Sequence, residues 1–209
     1  AFVHSLLSFD DSAAQLYSEI KDKYPIVLTR DMEKAKQWLH EKVRGTERTG
    51  VLVTKEAARF KPLGIHILAS GDENAVHWFL EDKADTRSSN YLEDAATEIQ
   101  VQGLELDYTC LLWDADMRCE NDKWNFYKFN GQTKWNKVIP DNENKQEQIK
   151  YMLNAYRVLL TRARAGMVIC IPEGNKNKTP NGFFEDATRL PEYYDGTYQY
   201  LKSLGIEEI

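Results

Sequence analysis

Residues 149–171, IKYMLNAYRVLLTRARAGMVICI, decide the class of fold, because a helical pattern there runs directly into a buried-strand pattern. The first part predicts one long helix from about Glu143 to Arg164, since its apolar side chains recur at the i, i+3, i+4, i+7 spacing of one helix face. Met167–Ile171 is a continuous apolar run, typical of a strand covered on both faces. The apolar helix positions are Ile149, Met152, Leu153, Tyr156, Leu159, Leu160 and Ala163.

The alternation of helix and strand extends through most of the chain. Asp31 is predicted to cap a helix that ends near Val43, and short apolar strands are predicted at Ile26–Leu28, Val51–Val53 and Tyr108–Trp113. Residues 1–24 carry helical patterns broken near Asp10, which predicts a helical N-terminal extension before a main domain at 25–209. A closing helix is predicted over 197–204. This order predicts an α/β fold with a mostly parallel central sheet.

A β-hairpin insertion is predicted at about 119–140. The aromatic-rich stretch 124–129 and the stretch 132–138 flank Asn130-Gly131, and this dipeptide favours a two-residue type I′ turn. The hairpin carries Trp124 and Tyr127 among several lysines, so its aromatic rings could stack on unpaired bases while the lysines meet phosphates. The alternative is that one aromatic face simply packs on the domain.

Composition excludes several classes of protein. The 209 residues carry a net charge of −6, and no apolar run is long enough to span a membrane. Three cysteines without a C-x-x-C pair and scattered histidines predict a reducing cytoplasm and no structural metal. Asp114-Ala115-Asp116 could hold a divalent ion after its strand, although a solvated exit from the strand is the favoured interpretation.

Two segments could contact a nucleotide. In Thr97–Asp107, Gly103 permits close approach of a ligand, and Glu105 could accept hydrogen bonds from a sugar hydroxyl. In Tyr156–Arg164, Arg162 lies at the predicted helix end, where its planar guanidinium could reach a phosphate. Residues 148–172 contain no Asp or Glu, so the arginines there form a candidate anion site in an acidic chain.

The order of these segments resembles motifs V and VI of superfamily 1 DNA/RNA helicases. The stretch 87–93 together with 100–107, and the stretch 191–198, are similar to the schlafen-type bacterial helicases. The resemblance implies a second RecA-like domain with a three-layer fold. It implies that Arg162 is the catalytic arginine finger, that Gln102, Gly103 and Glu105 bind ATP beside it, and that Thr29, Arg30 and Thr97 contact nucleic acid. Many relatives carry histidine where Ile99 stands, which removes one usual contact with the strand.

The resemblance also implies what this chain requires from elsewhere. Hydrolysis needs a phosphate loop, and Gly45–Gly50 is not one, because it lacks the lysine and precedes a strand. We therefore expect ATP and Mg²⁺ only in the full-length protein, with the first RecA-like domain of the same polypeptide and single-stranded DNA or RNA as partners. No ATPase activity is expected from this chain alone. An ATP-dependent nucleic-acid-binding switch without unwinding is the alternative, and a stand-alone α/β enzyme is less favoured.

Overall fold

The computed structural model describes residues 1–57, 59–68 and 74–209. The helices are α1 Phe2–Ser8, α2 Ala13–Ile20, α3 Met32–Lys42, α4 Asn74–Leu80, α5 Glu143–Leu159 and α6 Glu192–Ser203. The strands are β1 Ile26–Thr29, β2 Thr49–Val53, β3 His66–Ile67, β4 Asp94–Thr97, β5 Leu106–Leu112, β6 Met117–Cys119, β7 Trp124–Phe129, β8 Trp135–Lys137, β9 Ala163–Cys170 and β10 Glu207–Glu208.

Seven of these strands form the central sheet, in the order β10-β1-β9-β5-β2-β4-β3. Every pairing in it is parallel, which confirms the predicted α/β class. Successive side chains of a strand point to opposite faces, and the core divides accordingly. Val51 and Val53 pack on the face covered by α3, whereas Leu52 packs on the opposite face with α1, α5 and α6. The sheet is therefore covered on both sides, as the continuous apolar runs predicted.

Helix α5 is shorter than predicted, and the strand after it is longer. The helix ends at Leu159 rather than Arg164, and β9 begins at Ala163 rather than Met167. The Thr161 hydroxyl donates to the carbonyls of Arg157 and Val158, at 2.9 and 3.0 Å, and so satisfies acceptors that the next helical turn would have used. Arg162 consequently lies in the short turn between helix and strand.

The insertion forms a separate antiparallel sheet in the order β6-β7-β8. The predicted type I′ turn is wrong, because β7 and β8 are joined by five residues, 130–134. The Asn130 side chain accepts hydrogen bonds from the amides of Gln132, Thr133 and Lys134, and Gly131 takes a φ of 83°. Asn130 therefore caps a wider loop instead of adopting the positive φ that a type I′ turn requires of it.

The N-terminal helices share the core of the sheet. Leu6, Leu7 and Ala13 are buried in the same apolar cluster as α5 and α6. The Tyr17 hydroxyl donates to the Ile26 carbonyl at 2.7 Å, and the Tyr200 hydroxyl of α6 donates to the Leu6 carbonyl at 2.8 Å. Helix α6 spans twelve residues rather than the predicted eight. Within the described ranges, no helix combines the length and apolarity that crossing a bilayer requires.

Asp114 and Asp116 are buried, so the predicted solvated exit from β5 is wrong. Each is 1% exposed. Asp116 accepts hydrogen bonds from the Tyr156 hydroxyl at 2.6 Å and the Thr54 hydroxyl at 2.7 Å. Asp114 accepts from the Arg59 amide at 3.0 Å and the Tyr194 hydroxyl at 3.2 Å. Because these donors come from β2, α5 and α6 or their adjoining loops, the two carboxyl groups join distant parts of the fold.

Candidate nucleotide and nucleic-acid sites

Arg162 lies at the amino edge of the sheet, beside the segment that contains Gly103. Leu106 and Ala163 pair at the starts of β5 and β9, and the Leu106 amide donates to the Arg162 carbonyl at 3.0 Å. The Arg162 side chain extends over the preceding turn, where Nη1 donates to the carbonyls of Leu104 and Val101 at 3.3 and 3.4 Å. The structure thus brings together two motifs that lie about sixty residues apart in the sequence.

The Arg162 guanidinium keeps unused hydrogen-bond donors. A guanidinium has five N–H groups. Nε donates to the Val158 carbonyl at 3.2 Å, and Nη1 uses the two carbonyls of the turn. Within the part of the chain that the structure describes, Nη2 has no hydrogen bond and the side chain has no ion pair. The side chain is half-buried, so a positive charge is positioned by neutral acceptors while part of its donor set faces outward.

The turn beside Arg162 is open to a ligand. Gly103 has a φ of 81°, a conformation that glycine adopts without strain, and apart from its two chain neighbours no described residue has a heavy atom within 4 Å of the position that a Cβ would occupy. Gln102 and Glu105 flank it and are both exposed. All four residues predicted to bind ATP therefore lie at one edge of the sheet, three of them in the loop that leads into β5.

The neighbouring arginine at the same edge is already neutralised. Arg164 pairs with Asp107 at 2.6 Å, and the Arg48 amide also donates to that carboxylate at 2.8 Å. Burial opposes ionisation of Asp107, but these two donors outweigh it and lower its pKa. The Arg164 guanidinium is thus paired with a carboxylate, whereas the Arg162 guanidinium has no such pair among the described residues and can attract an anion.

The residues predicted to contact nucleic acid lie at the opposite, carboxyl edge. Thr97 ends β4 and is 4% exposed, and both its amide and its hydroxyl donate to the Gln100 side-chain oxygen, at 2.7 and 2.8 Å. Thr29 ends β1 and is 1% exposed, with its hydroxyl bonded to the Ile209 carbonyl. Arg30 pairs with Asp195 at 2.7 Å and donates to the Pro172 carbonyl. These side chains are engaged internally.

The two hairpin aromatics have different surroundings. Trp124 joins an internal aromatic cluster, stacked on Trp113 with ring centroids 5.4 Å apart and tilted against Phe9 at 4.9 Å. The Tyr127 hydroxyl donates to the Glu120 carboxylate, and its ring lies 3.8 Å from the Arg118 guanidinium. Arg118 is 4% exposed and is also in contact with the Tyr193 ring of α6. Both predicted base-stacking rings thus help to hold the insertion on the domain.

Glu98 is a connecting residue that the sequence did not reveal. It is 6% exposed, and its carboxylate accepts from the Lys55 amide and from the Tyr151 hydroxyl of α5, both at 2.9 Å. Helix α5 is therefore fixed to the carboxyl edge through Tyr151 and Tyr156, while its C-terminal end leads to Arg162 at the amino edge. No periodicity distinguishes Glu98 from other loop glutamates, because its burial depends on the loop folding back onto α5.

The fold and the two edges define an α/β domain with a parallel sheet and an arginine positioned beside an open glycine turn. A family model described as the Schlafen group 3 DNA/RNA helicase domain matches residues 1–173 of the 209. The chain belongs to this family, which confirms the schlafen-type resemblance. A search of curated proteins found no significant match. A search of solved structures also found none.

Proposed function

We propose that this chain is the second RecA-like domain of an ATP-dependent superfamily 1 helicase, and that it supplies the arginine finger. The observation that carries the proposal is the Arg162 side chain, which is held by three carbonyl oxygens beside Gly103 and keeps Nη2 available. Membership of a helicase-domain family agrees with such a role. The first RecA-like domain of the same polypeptide would hold ATP and Mg²⁺. ATP would carry the phosphate bond that is cleaved.

The proposed role of Arg162 is electrostatic. An arginine presented from a facing domain stabilises charge that develops on the γ-phosphate oxygens during phosphoryl transfer. The carbonyl contacts fix the guanidinium before the phosphate arrives, so little side-chain freedom remains to be lost on binding. Gly103 and Gln102 would adjoin the phosphates, and Glu105 would accept from the ribose. Thr97 and the β1 end at Thr29-Arg30 would border the bound DNA or RNA strand at the other edge.

Arg162→Ala in the full-length protein tests the proposal. We expect kcat for ATP hydrolysis to fall by about 10³-fold or more, with nucleic-acid affinity unchanged. Arg164→Ala is the matched control, because its guanidinium is paired with Asp107 and should contribute little to a phosphate. Equal ATPase rates in wild type and Arg162→Ala would refute the arginine-finger role. Loss of rate in both arginine variants would assign the effect to general charge at this edge.

A switch that binds nucleic acid under ATP control, without unwinding it, would use the same residues. Strand-displacement by the full-length protein separates the two functions: a helicase releases the labelled strand in the presence of ATP, and the switch does not.

The three cysteines are free thiols, which agrees with the proposed location in a reducing cytoplasm.

A further inference from the structure

A groove at the carboxyl edge has a charge opposite to that of the chain as a whole. It lies beyond the ends of β2 and β4, has a volume of about 580 Å³, and is bordered by Lys55, Lys61, Thr97, Ile99 and the hairpin residues Phe129 and Gly131. We call it the carboxyl-edge groove. Its lining in the described part of the chain includes Lys55, Arg59 and Lys61 but no Asp or Glu, although the chain has a net charge of −6.

The two lysines of the groove form no ion pair with any residue that the structure describes, although Lys55 also borders a neighbouring cavity with Glu56 and Glu147. Within the described residues neither ammonium has a carboxylate within 4.0 Å, whereas Lys128, nearby on the hairpin, pairs with Glu56 at 3.2 Å. The Lys55 ammonium lies 4.1 Å from the centre of the Tyr151 ring, and both lysines are exposed. Such cations favour a polyanion over a neutral ligand.

The hairpin supplies an aromatic side to the same groove. The Arg59 guanidinium lies 5.1 Å from the centre of the Phe129 ring, and Trp135 packs against the same ring at 5.2 Å. Arg59 is itself held by Asp186 at 2.9 Å, so its charge is compensated and it acts mainly to position the ring. Ile99, 44% exposed, adds an apolar surface from the segment after β4.

We propose that the carboxyl-edge groove binds a single strand of nucleic acid, with Lys55 and Lys61 on phosphates and Phe129 stacked on a base. This inference rests on the proposed function and identifies where the strand lies. A single strand presents phosphates and unstacked bases together, which matches a groove that combines exposed ammonium groups with a half-buried aromatic ring. An acidic peptide would satisfy the lysines, but its carboxylate side chains offer Phe129 no planar ring on which to stack.

The test is the binding of fluorescein-labelled oligodeoxythymidine and oligouridine to the intact protein without ATP, measured by anisotropy across a range of salt concentrations. Lys55→Ala with Lys61→Ala should weaken binding and reduce the slope of log K against log salt by about 1.4, because each phosphate contact on a single strand contributes roughly 0.7. Phe129→Leu should weaken binding about tenfold with the slope unchanged, since stacking releases no counterion. Phe129→Tyr should restore affinity.

Lys83→Ala is the matched control, because this exposed lysine borders a different cavity, beside Thr49 at the amino edge, and should alter neither affinity nor slope. If the folded lysine and Phe129 variants keep wild-type affinity and slope, the carboxyl-edge groove does not bind the strand. The loss of ATPase activity expected for Arg162→Ala could still be observed in that case. Competition by poly-glutamate with no oligonucleotide binding would also overturn it, and would count against the proposed function as well.

Discussion

Replacing the buried Asp116 by asparagine should stabilise the protein increasingly as the pH rises. Desolvation raises the pKa of Asp116 from 3.8 to about 7, and the nearby Asp114 carboxylate adds to this shift. The folded state therefore favours the protonated acid. The resulting stability is fully present below the unfolded pKa and is lost as the pH rises through the folded pKa.

The expected size follows from the shift. A rise in pKa from 3.8 to about 7 corresponds to roughly 4 kcal/mol of unfolding free energy lost across the window. Integration of the same two values places about 2.5 kcal/mol of that loss between about pH 5 and about pH 8. Asparagine is close in shape, can accept from Tyr156, and does not titrate. Any fixed cost of its amide group is the same at each pH and cancels from the comparison.

Urea unfolding of the 209-residue chain at a series of pH values measures this difference. The stability of Asp116→Asn relative to wild type should increase by about 2.5 kcal/mol from about pH 5 to about pH 8. Asp22→Asn, which removes the same charge at an exposed position, should follow the wild-type profile. A relative stability that stays flat or decreases with pH would refute the assignment of a raised pKa to Asp116.

Two further substitutions test local packing. Asp31→Ala should lower the unfolding free energy by about 1 kcal/mol, because the Asp31 carboxylate caps α3 by accepting from the Glu33 and Lys34 amides. Asp31→Asn should recover most of that loss in the same thermal melts, and equal melting temperatures for alanine and wild type would contradict the cap. Gly196→Ala should destabilise severely, because a Cβ there would overlap the Cys119 carbonyl oxygen where α6 crosses the insertion. A melting temperature within a degree or so of wild type would show that α6 and β6 can separate without cost.

Local patterns predicted the elements that depend on local physics. Continuous apolar runs predicted β1, β2, β5 and β9, because strands covered on both faces need apolar side chains at every position. Asp31 predicted the start of α3, because a helix cap depends only on amides within three residues of it. The stretches 87–93 and 191–198 also indicated the schlafen helicase family, which the family model confirms.

The tertiary structure decided what depends on contacts between distant segments. Apolar spacing continues past Leu159, but pairing of Ala163 with Leu106 and the Thr161 hydroxyl end α5 earlier. Asp114 and Asp116 look like an exposed exit in sequence, yet donors from β2, α5 and α6 or their adjoining loops bury them. The carboxyl-edge groove has no sequence signature, because its walls come from three loops that only the fold brings together. The sequence shows which side chains are chemically able to bind a ligand. Long-range packing of the sheet decides which of them lie close enough together to bind the same one.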